Sequence, residues 1–186
     1  MTCQGSTELK HLTYDGNFEL ECKATVIAYE LLEGGDNGNS EEQKVSLELD
    51  MTCMHPQGGG QPSDMGTIRL GESVVSIDKV LIDRARGNAV THVGQIVNSG
   101  DSVSVGSKVE VSVDVDRRLL LSECHTAGHV IDAAMARCGK TMPPTKGYHY
   151  LEGPYVEYKG SIPPDERDSF MKDLKVAFQV RKKFFL

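Results

Sequence analysis

No run of about 18 apolar residues occurs anywhere in the chain, so no membrane-spanning helix is expected. The N-terminus, MTCQGSTELKHL, lacks the basic start and apolar stretch of a secretory signal, and a cytoplasmic protein is the expectation. There is no CxxC pair. The five cysteines, Cys3, Cys22, Cys53, Cys124 and Cys138, are an odd number, which argues against a disulfide framework and fits a reducing compartment. No internal repeat is visible. What is present is ordinary for a folded protein: 186 residues, 39% apolar and 25% charged, enough for one large domain or two small ones around a packed core. The net charge of −7 is uneven, with 8 basic against 17 acidic residues in 1–112 and 12 against 10 in 113–186. This balance excludes tight nonspecific nucleic-acid binding, and neither DNA nor a membrane is an expected partner. It leaves room for docking of a polyanion on a local basic patch in the second half.

The first part reads as β. Phe18, Leu20, Cys22, Ala24 and Val26 alternate with other residues, as do Val45, Leu47, Leu49 and Met51. Between them, Glu33 to Glu42 (EGGDNGNSEE) is too polar to bury and reads as a mobile hairpin loop. Further strands follow at GTIRL, SVVSIDKVLI, AVTHVGQIV and KVEVSVDV, the last with Val109, Val111, Val113 and Val115 on one face. Six or so strands joined by Gly, Asn and Ser turns predict a closed or nearly closed barrel over 1–112. After Asp116 the period becomes helical. Arg117 to Cys138 contains no proline and is followed by Gly139 as a C-cap, so a second domain is expected over 113–186. A connector (TMPPTKG), an aromatic segment (YHYLEGPYVEYKG) and a helix starting near Pro163-Pro164-Asp165 complete it.

Three features can carry chemistry. The loop from His55 to Asp64 holds Gly58, Gly59 and Gly60, which allow close approach to main-chain N–H groups, with the Gln61 amide beside them; by itself it also reads as a flexible turn. His125 and His129, at i and i+4, present two imidazoles from one helix face to a single Zn²⁺. That pair is half a site, or simply two surface or core histidines. Gly128 beside them, unfavourable in mid-helix by about 1 kcal/mol against Ala, points to close approach by something else. The segment from Gly147 to Tyr158 carries four tyrosines, His149 and two glutamates, either a wall on which a base or ribose stacks or a strand covering the core. Cys53, Cys124 and Cys138 read as small apolar residues rather than ligands.

In this order, these features resemble the freestanding alanyl-tRNA editing proteins, relatives of the editing domains of alanyl- and threonyl-tRNA synthetases. Asp50 to Asp64 (DMTCMHPQGGGQPSD) is similar to the family's Thr-x-x-x-Pro-x-Gly-Gly-Gly-Gln-Pro-x-Asp signature, and Asp116-Arg117-Arg118 followed by His125-Thr126-Ala127-Gly128-His129 to its Arg-Arg and His-x-x-x-His signature. The match runs from about residue 18 to about 178. The resemblance implies an α+β protein: an N-terminal β-barrel followed by an α+β editing domain, with the active site between them. It further implies hydrolysis of the ester in alanine tRNA mischarged with serine or glycine, a second sieve made necessary because an alanine pocket cannot strongly reject either. His125 and His129 would bind Zn²⁺, Thr52 would discriminate the serine hydroxyl, and Gly58, Gly59, Gly60 and Gln61 would line the pocket for the 3′-terminal adenosine and ester. Arg117 and Arg118 would contact substrate. With Lys172, Lys175, Arg181, Lys182 and Lys183, they form the basic patch where tRNA phosphate is expected, the alternative being a solvated helix face.

The family's downstream Cys-x-x-x-His, which completes its zinc site, has no counterpart here. Cys138 and His149 are the only Cys and His after His129. A shortened editing domain with an incomplete zinc site is therefore expected, with a synthetase or a second copy as the candidate to complete or cover it. Two other readings stand beside the deacylase: a catalytically silent homologue that captures aminoacyl-tRNA or a synthetase, and a metallohydrolase acting on another ester.

Overall fold

Side-chain alternation builds the first part of the chain. The computed structural model describes residues 6–32 and 43–182, with side chains to residue 179. The expected loop from Glu33 to Glu42, Cys3 and Lys183 lie outside the described residues, as do the side chains of Arg181 and Lys182. The strands are β1 (Glu8–Leu9), β2 (Glu21–Leu32), β3 (Lys44–Leu49), β4 (Met51–Thr52), β5 (Gly66–Leu70), β6 (Ser73–Asp83), β7 (Ala89–Asn98) and β8 (Lys108–Val113). Six of them close an antiparallel barrel in the order β2-β3-β7-β6-β5-β8, while β1 pairs in parallel with β4. Closure removes every free sheet edge from the six, which is how an all-β unit avoids edge-to-edge association. The inward positions are branched and apolar: Val26, Val45, Leu47, Leu49, Ile68, Val75, Ile77, Val80, Val90, Val109 and Val111 are buried in one cluster. A bulge between Ile77 and Lys79 bends β6 against β7. Gly94 sits opposite, where an added Cβ would lie 1.9 Å from the Ser76 carbonyl oxygen. Two residues depart from the alternation. Phe18 falls in a 3-10 turn (Gly16–Phe18) and is 68% exposed, and Val115 leaves the barrel face to open the following helix.

In the barrel unit the buried Thr7, Thr52 and His92 side chains are hydrogen-bonded, whereas His11 Nδ1 and His55 Nδ1 are buried without a hydrogen-bond partner. His92 is fully buried on β7; its Nδ1 donates to the Leu47 carbonyl (3.3 Å), so its Nε2 accepts from the Thr52 hydroxyl (2.9 Å). Burial lowers the His92 pKa to about 4. In the unfolded chain the same group titrates at its ordinary value of about 6.5. Between those values only the unfolded state takes the proton, so stability is unaffected above about pH 6.5 and falls as pH drops toward 4. The loss from His92 reaches about 3 kcal/mol. His11, whose ring is tilted 45° against that of His55 at 4.4 Å, is lowered to about 4 by burial and adds in the same direction. Urea unfolding at pH 7.5 and 4.5 is expected to show this loss, and a His92→Gln variant a markedly smaller one; equal losses in both would contradict the assignment.

The second part begins within α1 (Val115–Arg137), which ends where the helical pattern stops. Gly139 takes φ +74°, Lys140 N–H donates to the Met135 carbonyl (3.0 Å) and Gly139 N–H to the Ala136 carbonyl (3.0 Å), the Schellman arrangement that satisfies the last carbonyls. An antiparallel hairpin of β9 (Pro144–Tyr148) and β10 (Tyr155–Tyr158) follows, then a 3-10 turn (Pro164–Glu166) running into α2 (Arg167–Lys182). Contacts divide the chain into two units: Met1–Gly58 with Pro62–Arg118, and Gly59–Gln61 with Leu119–Leu186. In this division the units change after Arg118, and Gly59–Gln61 of the glycine loop go with the second unit. The architecture is α+β with a closed six-stranded barrel. No helix among the described residues is long and apolar enough to cross a membrane.

Candidate functional site

In the barrel unit, the glycine loop is held at its neck. The Asp64 N–H donates to the His55 carbonyl (3.0 Å) and the His55 N–H to Asp64 Oδ2 (2.6 Å). Arg118 then ties both ends together: its Nε donates to both Asp64 oxygens (3.1 and 3.0 Å) and its Nη2 to the Cys53 carbonyl (2.7 Å). Arg118 and Asp64 are both buried. The guanidinium expected to contact substrate is engaged within this unit by Asp64 and the Cys53 carbonyl. Arg117 Nε lies 3.4 Å from the Ser63 carbonyl and the residue stays half-exposed. Thr52 is fully buried, with its hydroxyl donating to His92 and accepting the Met54 N–H (3.1 Å). Cys53 is buried too, and its contact with Cys22 together with burial holds the thiol far above its ordinary value, so it stays protonated as the apolar reading expected. All four described cysteines are free.

The second unit brings the other candidates together. His125 and His129 stack one helical turn apart, with ring centroids 5.1 Å apart. Gln61 Oε1 accepts from His125 Nδ1 at 2.8 Å, so the Gly-Gly-Gln turn and the first helical histidine are directly bonded. His129 Nδ1 lies 3.5 Å from Asp132 Oδ2, and Asp132 Oδ1 accepts from the Tyr158 hydroxyl (2.6 Å). An imidazole whose Nδ1–H is bound to an acceptor carries its lone pair on Nε2, the arrangement in which histidines ligate metals. The donor chemistry of this pair therefore fits Zn²⁺. Among the described residues, however, no group of three or more His, Cys, Asp or Glu side chains is arranged to hold a metal ion.

A third imidazole, which the sequence gave no reason to place here, joins them. His149 is buried and stacks on His125 at 4.3 Å with an interplanar angle of 15°. Its ring occupies a cradle made by absent side chains: a Cβ on Gly128 would meet His149 Cε1 at 2.5 Å, and one on Gly147 would meet Nε2 at 2.6 Å. Gly60 closes the third side, accepting the His149 N–H at 2.8 Å, with the Gly147 carbonyl where its own Cβ would be. This is the close approach that Gly128 signalled. Burial, then the neighbouring His129, lowers the His149 pKa. Of the expected basic patch, Lys172 and Lys175 are exposed on α2.

No family model matches the chain. Pairwise comparison finds relatives nonetheless. The chain is 30% identical over 162 residues to an alanine–tRNA ligase of Clostridioides difficile, covering 85% of this chain and 16% of that protein. It is 40% identical over 91 residues to an alanine–tRNA ligase of Methanobrevibacter smithii, covering 49% and 10%. A Saccharomyces cerevisiae protein named as the alanyl-tRNA editing protein alaX is 33% identical over 104 residues, covering 54% of this chain and 22% of its own length. The chain thus spans less than a quarter of each of these relatives.

Proposed function

We propose that this chain, which belongs to the family of alanyl-tRNA editing proteins and the corresponding editing regions of alanine–tRNA ligases, hydrolyses the ester of alanine tRNA mischarged with serine or glycine. The observation that carries this reading is the 2.8 Å bond between Gln61 and His125, which unites the glycine turn with the helical imidazoles. His125 and His129 would hold Zn²⁺ through Nε2, with the remaining ligands supplied from outside the described residues, by a synthetase or a second copy. Zinc bound there supplies a Lewis acid for an ester carbonyl or a water of lowered pKa. Gln61 fixes the tautomer and orientation of His125, and Asp132 does the same for His129. Gly59, where an added Cβ would meet nothing nearer than His125 Cε1 at 3.9 Å, leaves room beside the main chain for the 3′-terminal adenosine and the ester. Arg117 and the exposed lysines of α2 supply contacts for tRNA phosphate. The activity is that of a cytoplasmic protein of translation fidelity.

Thr52 carries the amino-acid discrimination in this reading. Its proton is committed to His92 and its oxygen already takes the Met54 N–H, so a serine hydroxyl, unlike an alanine methyl, would donate to the one remaining lone pair, and the buried side chain must be uncovered for it to do so. Thr52→Ser is expected to keep both stability and the preference for serine. Thr52→Val leaves the buried His92 Nε2 and Met54 N–H unpaired, which is expected to cost about 1–3 kcal/mol along with the preference. A Thr52→Val protein that still cleaves serine-charged over alanine-charged tRNA by the wild-type ratio would remove Thr52 from the reading, as would a different ester as true substrate.

The direct test is incubation with serine-charged alanine tRNA before and after treatment with a chelator, followed by added zinc. Serine is expected to be released, to be retained after chelation and to be released again on zinc addition. Stable ester throughout would favour the second reading, a silent homologue that only captures aminoacyl-tRNA. Stoichiometric zinc lost in His125→Ala would speak against that reading.

A further inference from the structure

The β9–β10 hairpin has two faces with different company. Val156 and Tyr158 point toward α1: the Val156 Cγ2 lies 3.5 Å from the position of a Gly128 Cβ, and the Tyr158 hydroxyl binds Asp132. Alternation along a strand sends their neighbours the other way. Tyr155 pairs across the hairpin with Tyr148, and Glu157 with Lys146, so these four share the outward face. There the rings form a ladder. Tyr150 stacks on Tyr148 at 4.4 Å and 14°, and Tyr148 stacks on Tyr155 at 5.2 Å and 17°. Lys146 Nζ stands 5.4 Å from the Tyr155 ring centroid, and Tyr155 is 39% exposed.

Three near-parallel phenol rings ending in a half-exposed one, with an ammonium beside it, match the chemistry of an unpaired nucleotide. The base adds one more layer to the stack, and the lysine meets the phosphate that travels with it. An apolar protein partner would be better served by a broad apolar patch than by rings bearing hydroxyls and a cation. The ladder also joins the candidate site covalently, since Tyr148 and Tyr150 flank His149, whose ring lies against the imidazole pair. We propose that Tyr148, Tyr150 and Tyr155 with Lys146 form a stacking platform for an unpaired nucleotide at the 3′ end of the RNA substrate. This rests on the editing reading and names a binding subsite within it.

The chain has no tryptophan and six tyrosines, three of them in this ladder, so half of its intrinsic emitters lie there. Titration of the full chain with an uncharged single-stranded RNA, ACCA, is expected to quench that emission saturably. Tyr155→Phe, which keeps the ring, should bind within twofold of wild type, while Tyr155→Ala should bind about tenfold more weakly. Lys146→Gln should lower the slope of log affinity against log salt by about 0.7. No saturable quenching, equal affinity in Tyr155→Ala, or equal weakening in Tyr155→Phe would each overturn the platform. So would a Tyr155-dependent dimer seen in sedimentation with RNA binding unchanged. Because ACCA carries no ester, the two readings fail separately. Binding with this mutational pattern in a chain that cleaves nothing keeps the platform and removes the deacylase; full cleavage with an unchanged KM in Tyr155→Ala does the reverse.

Discussion

Arg118→Ala is expected to destabilise the protein by about 3–5 kcal/mol, because it leaves the Asp64 carboxylate buried without its cation. For a chain of this size that corresponds to a fall in Tm of roughly 6–20 °C. The effect reaches further than one ion pair, since the same guanidinium holds the Cys53 carbonyl at one end of the glycine loop and Asp64 at the other. Lysine is a poor substitute: a single ammonium cannot reproduce the fork that meets both carboxylate oxygens and the carbonyl. Arg118→Lys should therefore recover only part of the loss. Thermal unfolding by circular dichroism measures it, and a Tm within 2 °C of wild type for Arg118→Ala would show that the ion pair does not hold the loop.

Gly128→Ala is expected to act the opposite way, sparing stability and removing activity. In an isolated helix the substitution would be favourable by about 1 kcal/mol. Here the new Cβ would stand 2.5 Å from the His149 ring, which cannot stay stacked on His125. Displacement of a positioning group by about 1 Å costs on the order of 100-fold in rate, and that is the loss expected in ester hydrolysis, with Tm little changed. Gly147→Ala should behave alike, because its Cβ meets the same ring from another side. Wild-type rates in both variants would show that His149 has no part in orienting the helical imidazoles.

These two predictions mark what a linear reading can and cannot reach. The barrel was legible because inward valines and leucines recur with period two, and the helix because that period changes at Asp116. Gly128 announced a close neighbour, but nothing in its spacing named His149, 21 residues on, which arrives only through the return of the β9–β10 hairpin. Arg118 read as a substrate contact because a sequence motif records residue type and order, not burial; its partner Asp64 is 54 residues away. Phe18 and Val115 fit the strand alternation in composition yet fall outside it, one in a 3-10 turn and one at a helix start, where local backbone geometry overrides the pattern. The tyrosine segment admitted both a structural and a binding role, and the hairpin register separates them: Tyr158 faces the helix, while Tyr148 and Tyr155 face outward.

The central claim is tested most directly by single-turnover release of the amino acid, with protein in excess over alanine tRNA charged with serine or with alanine in the presence of zinc. The account predicts fast loss of serine, slow loss of alanine, and no loss of either above the spontaneous rate in His125→Ala. Equal rates for the two esters, or serine release that persists undiminished in His125→Ala, would contradict it.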